Sequence, residues 1–200
     1  MNTTLAWRTR GIARVLGHDV PHDGGIMTRQ MVQARVTDPE QLVPHLFEEH
    51  DPGFMERVRP GDFIVAGRNF GCGKPHTNGY RALQHLGLRL LCESVPGTVA
   101  RAMMNLGLPC LQPCDGLTAA VADGDEIEVD FTTGELVNHT RGARHRYPAM
   151  SIHVRHLIER GGQRGLLEHW LAEHPELREP WPDAPQPLPA APRSIPITPV

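Results

Sequence analysis

Lys74 is the one lysine among the twenty Lys and Arg positions of this 200-residue chain, and every other basic position is arginine. Arginine stays protonated in proteins, whereas a lysine stripped of water becomes a neutral amine able to take a proton. Lys74 lies in the segment Val65–Tyr80, VAGRNFGCGKPHTNGY. Gly67, Gly71 and Gly73 there open backbone shapes closed to other residues. Arg68, Lys74, His76 and Arg81 follow one another closely enough to crowd around one anion, a carboxylate or a phosphate. The glycine spacing fits neither the Walker loop nor the dinucleotide fingerprint, which disfavours a nucleotide. A tight turn with solvated charges is the other reading of the same residues.

The loop needs a strand before it and a helix after it. Asp62–Ala66 reads as a buried strand, and Thr77 or Asn78 caps a predicted helix running to about Leu86. In such a strand–turn–helix unit the ligand edge lies at the turn, where free backbone N–H groups face an anion. Further strands are expected at Gly11–Leu16, Leu88–Cys92, Leu108–Leu111, Asp125–Phe131, Gly134–Asn138 and Arg144–Pro148. Helices are expected at Glu40–Glu49, Gly97–Leu106, Ser151–Arg160 and Gln163–His174, with a turn at Gly53–Arg57. The β-α-β-α-β run makes part of the sheet parallel, and the late hairpins add antiparallel strands, so the fold class is α/β with a mixed sheet. From Pro175 to Val200 prolines become so frequent that an extended tail is expected, separate from a domain over residues 1–174.

Composition narrows the function. The formal net charge of −3 argues against nucleic-acid binding by phosphate neutralisation. No apolar run is long enough to span a membrane, and the first ten residues lack a secretory h-region, so a cytoplasmic setting is expected. The four cysteines (Cys72, Cys92, Cys110, Cys114) do not make a disulfide scaffold. Cys110 and Cys114 have the wrong spacing for cluster ligands and read as small packed hydrophobes. No metal is expected in this chain; a zinc held by Cys72, His76 and another histidine is the alternative. On the first loop, Asp19, Asp23 and Arg29 are polar candidates, while His18 and His22 read as solvated or interface residues. Arg101 is a weaker candidate, and the pair Met103 and Met104 reads as core.

The stretch Arg59–Gly73, RPGDFIVAGRNFGCG, resembles the small subunit of isopropylmalate dehydratase and of its homoaconitase relatives, the counterparts of the swivelling domain of aconitase. Leu46–Phe54 (LFEEHDPGF), Gly107–Pro109, Gly124–Asp130 with Gly134, and the first loop Gly17–Asp23 (GHDVPHD) resemble further family segments in the right order, from about residue 10 to 170. The resemblance implies a swivelling β/β/α domain and a hydro-lyase that removes and re-adds water on a small hydroxy-dicarboxylate. It also implies a large partner subunit carrying a [4Fe–4S] cluster, with no cluster in this chain. The relatives continue with Ser-Ser-Arg-Glu-His where this chain has Lys74, Pro75, His76, Thr77 and Asn78. Lys74 thus falls on the position of the catalytic base and His76 on that of the carboxylate clamp. Arg68, Asn69, Gly73, His76 and Thr77 form the substrate-binding set on this loop, joined by Arg29, where the family recognises the variable end of its substrate. A regulatory remnant, or a stand-alone module for small anions, is the competing reading of these departures.

Overall fold

The computed structural model describes residues 6–74 and 76–178. Seven strands form one sheet in the order β4-β3-β2-β1-β5-β6-β7. They are β1 (Arg8–Leu16), β2 (Phe63–Ala66), β3 (Arg89–Cys92), β4 (Cys110–Leu111), β5 (Glu126–Asp130), β6 (Glu135–Asn138) and β7 (Ala143–Arg146). The helices are α1 (Arg29–Gln33), α2 (Pro39–Leu42), α3 (Phe54–Arg57), α4 (Asn78–His85), α5 (Gly97–Leu106), α6 (Leu117–Ala120), α7 (Ile152–Glu159) and α8 (Gly162–Glu173). β1 pairs in parallel with β2 and antiparallel with β5, so it joins a parallel half to an antiparallel half.

Alternation along the strands divides the core. In β2, Ile64 and Ala66 pack with Leu90, Tyr80, Leu83 and Met103 on one face. Phe63 and Val65 pack with Leu91, Leu117, Ile127 and Val129 on the other. Every β2 residue is therefore buried, as expected of a parallel strand covered on both sides. β5 alternates instead. Ile127 and Val129 face the core, while Glu126 and Glu128 pair outward with Arg10 and Arg8 of β1.

Most expected elements are present, with end shifts of one to a few residues. Gly107 closes α5 in the left-handed conformation (φ 76°), the usual helix stop. The expected helix Glu40–Glu49 is not continuous. α2 passes into a single 3-10 turn at Val43–His45, and the chain then leaves helical geometry. Pro44 lacks the N–H that a longer helix needs, and Phe47 adopts a positive φ of 57°. The short helices α1 and α6 escaped the sequence pattern, being too short for periodicity to register. At the end of α8 the chain continues as a 3-10 turn, Pro175–Arg178, and not as an extended segment. A proline at the first position of a turn gives up a donor that would be unbonded anyway. The rest of the expected tail lies outside the described residues.

Candidate active site

The loops leaving β1, β2 and β3 lie together at the carboxyl end of the parallel strands, the edge at which α/β sheets bind ligands. The first two run side by side as a ladder. Gly67 N donates to Gly17 O (3.2 Å), Asp19 N to Arg68 O (2.8 Å), Gly71 N to Val20 O (2.8 Å) and His22 N to Cys72 O (3.0 Å). Close approach dictates small residues here: a Cβ on Gly67 would lie 2.2 Å from Nδ1 of His18, and one on Gly71 2.2 Å from Oη of Tyr80.

The ladder has two ends with different chemistry. At the outer end, Arg68 and Asn69 are exposed. The Arg68 N–H donates to His18 Nδ1 (2.8 Å), Asn69 N–H to Ser94 Oγ (2.9 Å), and Asn69 Nδ2 to Asp19 Oδ1 (2.8 Å). Asp19 and Asn69 both take positive φ (54° and 59°), a conformation their side chains tolerate better than most. Beneath them the buried Glu93 accepts from Thr118 N (3.1 Å) and Thr118 Oγ1 (2.6 Å). Burial pushes its carboxyl upward, but the Thr118 bonds and the nearby His18 and Arg68 outweigh this and leave it below the usual carboxylate range.

The inner end holds two histidines on one carboxylate. His22 is completely buried, contrary to the expectation of a solvated or interface residue, because it plugs the gap between the first loop and the start of α4. Its Nε2 accepts the Gly79 N–H (3.2 Å). The proton therefore sits on Nδ1, which donates to Asp23 Oδ1 at 2.8 Å. Tyr80 meets the ring edge-on at 5.2 Å between centroids. Burial pulls the pKa of His22 below 6.5 and dominates the opposing pull of Asp23. His76 Nδ1 lies 2.8 and 3.0 Å from the two Asp23 oxygens. Partial burial pushes the Asp23 carboxyl upward, but its bonds from His76 and His22 prevail and hold it low, so it is an ionised acceptor.

Asp23 and His76 open onto a depression lined also by Arg29, Val32, Gln33, Arg35 and Lys74. Lys74 is exposed, and its carbonyl accepts the His76 N–H at 2.8 Å. Arg29 packs over Gly24 and pairs with Glu49 at 2.7 Å. Gly73, at φ +95°, makes the turn that sets Lys74 beside this depression. The expected residues are thus separated, and the cations do not gather at one point. Lys74, His76 and Arg29 come together; Arg68 and Asn69 stay at the outer end of the ladder. Thr77 occupies the capping position of α4, its carbonyl accepting the Arg81 N–H (3.1 Å) but its side chain making no cap bond, and with Arg81 it lines a furrow bounded by α5 and the start of α8. An α-helical turn carries successive side chains to different sides, so neighbours in sequence diverge beyond residue 76. Arg101 is exposed on α5, Met103 is buried core, and Met104 is partly buried.

Asp23 had stood only as a polar loop residue, and Glu93 was not among the candidates at all. Glu93 sits in no motif, whereas Asp23 closes the first-loop segment Gly17–Asp23 and follows a histidine directly, the two local signals for it. The cysteines do not fit an iron–sulfur cluster. Cys92 and Cys110 lie 3.9 Å apart on neighbouring strands, Cys114 Sγ points to Leu111 O (3.4 Å), and Cys72 Sγ points to Asp19 O (3.5 Å). Burial drives the Cys92 and Cys114 thiols upward, opposite to what a ligating thiolate requires. The zinc set with Cys72 does not assemble either. His22, Asp23 and His76 are close enough to share an ion, but the Gly79 N–H fixes the proton of His22 on the nitrogen that would have to ligate.

The mixed α/β sheet with cationic side chains at its loop edge is of the swivel-domain type, and known proteins share this fold. A crystal structure of 3-isopropylmalate dehydratase from Methanocaldococcus jannaschii superposes with a TM-score of 0.75 and 27% identity, over 85% of this chain and 99% of that one. The 3-isopropylmalate dehydratase small subunit of Thermodesulfovibrio yellowstonii is 31% identical over 78% of this chain and 90% of its own length. The isopropylmalate/citramalate isomerase small subunit of M. jannaschii is 34% identical over 78% and 92%. The methanogen homoaconitase small subunit of Methanothermobacter thermautotrophicus is 35% identical over 66% and 74%. No family model matches the chain. On these relatives the chain belongs to the 3-isopropylmalate dehydratase small-subunit family.

Proposed function

We propose that this chain is the small subunit of a hydro-lyase that removes and re-adds water on a small hydroxy-dicarboxylate. The observation that carries the reading is the depression in which Lys74, His76, Arg29 and Arg35 meet at the loop edge of the sheet. Four cationic or cationisable groups around one hollow suit a substrate with two carboxylates. The relatives are small subunits by name, and this chain's wall is open, so a large subunit closes the site from the other side. No cysteine set in this chain fits an iron–sulfur cluster; a cluster held by the large subunit, as the family resemblance implies, would supply Lewis-acid polarisation of the substrate hydroxyl.

Dehydration needs a base beside the substrate carboxylate. Lys74 falls on the position that the family resemblance gives to the base, and we assign it the proton. That role requires the partner to cover the loop and exclude water from it, because Lys74 is exposed on the chain alone. His76 and Arg29 hold the carboxylates, while Arg68 and Asn69 lie at the outer end of the ladder and Thr77 lines the neighbouring furrow.

Anaerobic assay of the pair, co-expressed and cluster-loaded, against a panel of hydroxy- and unsaturated dicarboxylates tests the function; turnover of none of them overturns it. Lys74→Ala and Lys74→Arg then test the base. Loss of a general base lowers rates by ~10²–10⁴, and a guanidinium does not take a proton at neutral pH. Both variants are expected to lose that much in kcat while still binding the partner. Activity retained in Lys74→Arg but lost in Lys74→Ala reduces Lys74 to a carboxylate anchor.

A further inference from the structure

His22 and Asp23 are more than loop residues that happen to touch His76. The core side chain fixes the carboxylate, and the carboxylate fixes the exposed ring. His22 is completely buried and has one hydrogen-bonding arrangement open to it, since its Nε2 is taken by the Gly79 N–H. Its Nδ1–H must then point at Asp23 Oδ1. Asp23 in turn faces both oxygens to His76 Nδ1. The His76 ring is therefore held by one nitrogen, and Nε2 is the nitrogen left for a ligand in the depression.

We propose that His22, Asp23 and His76 form a proton-dependent carboxylate clamp, in which the protonated His76 offers its Nε2–H to one carboxylate of the substrate. The clamp rests on the hydroxy-dicarboxylate reading above and adds a condition to it. A neutral His76 with its proton on Nδ1 turns a lone pair toward the depression and repels a carboxylate; the imidazolium turns a donor toward it. Asp23 supplies the opposing charge for the imidazolium. The other charged groups facing the ring are Lys74 on its own loop, Arg29 at the start of α1 and Arg35 just beyond it; His22 lies behind the carboxylate and enters as a neutral ring. His22 and Asp23 are positioning residues, acting only through His76.

Kinetics of the reconstituted pair across pH, on whichever acid it turns over, separate this from a merely structural role. In the wild type KM is expected to rise by up to about tenfold per pH unit once His76 loses its proton, with no parallel fall in kcat. Asp23→Asn removes the charge that holds the ring and is expected to raise KM about ten- to hundredfold. Two substitutions at position 22 divide its contacts. His22→Asn keeps a donor at the Nδ1 position and is expected to raise KM less than His22→Gln does. His22→Gln keeps an acceptor for Gly79 N–H but loses the donor to Asp23, and is expected to raise KM. The reverse order, or a KM independent of pH, overturns the clamp.

Nitrogen-15 NMR of histidine-labelled free chain reads the arrangement without any turnover. Nδ1–H forms of both His22 and His76 are expected, and Asp23→Asn should release His76 into a mixture of tautomers. A neutral His76 protonated on Nε2 overturns the clamp, as does tight binding of zinc chloride that His76→Ala abolishes. Should the pair turn over no hydroxy acid while the NMR result holds, the substrate reading fails and the His22–Asp23–His76 arrangement stands.

Discussion

A buried histidine makes folding depend on protons. An ordinary histidine titrates near 6.5, and burial lowers His22 below that in the folded chain. Between that value and the lower folded one, the unfolded chain binds a proton that the folded chain does not, so stability rises with pH across this window and falls on acidification. Denaturant titrations at a series of pH values from 7 downward (values on the scale of ordinary histidine titration, about 6.5) should show this loss, and His22→Gln should flatten that part of the profile. An unchanged slope in the variant would assign the acid sensitivity elsewhere. Asp23 acts at lower pH: its depressed carboxyl stabilises the fold above the ordinary carboxylate range, and the contribution disappears as pH falls through its folded value. At this scale Lys74 and His76 were legible because they are neighbours in one unusual loop. Their supports were not, since Asp23 and His76 are 53 positions apart and nothing local announces the contact. Arg68 misled for the opposite reason, because nearness along the chain suggested a shared site that the ladder geometry separates.

Elements were legible wherever one face or both faces are buried over a sufficient length. β2 announced itself as a short apolar run, and α5 by its periodicity and its closing glycine. The α2 region failed because a proline interrupts an otherwise helical composition. Contacts between elements were the illegible part, and the packing of α4 on the first loop is the one that matters for the site. A Cβ on Gly79 would lie 2.5 Å from Cγ2 of the fully buried Ile26 and 3.3 Å from Nε2 of His22. Alanine is favoured over glycine inside helices by roughly 1 kcal/mol, while forcing an extra methyl into a filled core costs typically 1–3 kcal/mol. The clash should win. Gly79→Ala is expected to lower Tm and to weaken the pair's affinity for its substrate together, because the start of α4 and the His22 contact shift as one. A variant more stable than wild type would show that Ile26 yields without moving the loop.

Across the whole molecule the sheet separates two cores, and among the described residues neither includes any from Pro175 onward. Pro175–Arg178 adds one turn after α8, and Leu177 in it is 52% exposed. Deleting residues 175–200 should therefore leave Tm within a few degrees of the full chain, as expected of a terminal segment that buries little. A large fall would mean that residues beyond 178 dock on the domain. The central place of β1 sets a timetable for synthesis. The first strand to leave the ribosome is the middle strand of the finished sheet, with Ala13 facing Phe63 on one side and Gly11 facing Ile127 on the other. Once Leu111 has emerged, the four parallel strands and both site loops can assemble, but one edge of β1 still waits for β5. A nascent chain paused there exposes an unpaired strand edge, which is a template for pairing with another chain. Stop codons placed between β4 and β5 should thus yield aggregates, while full-length translation covers that edge from within.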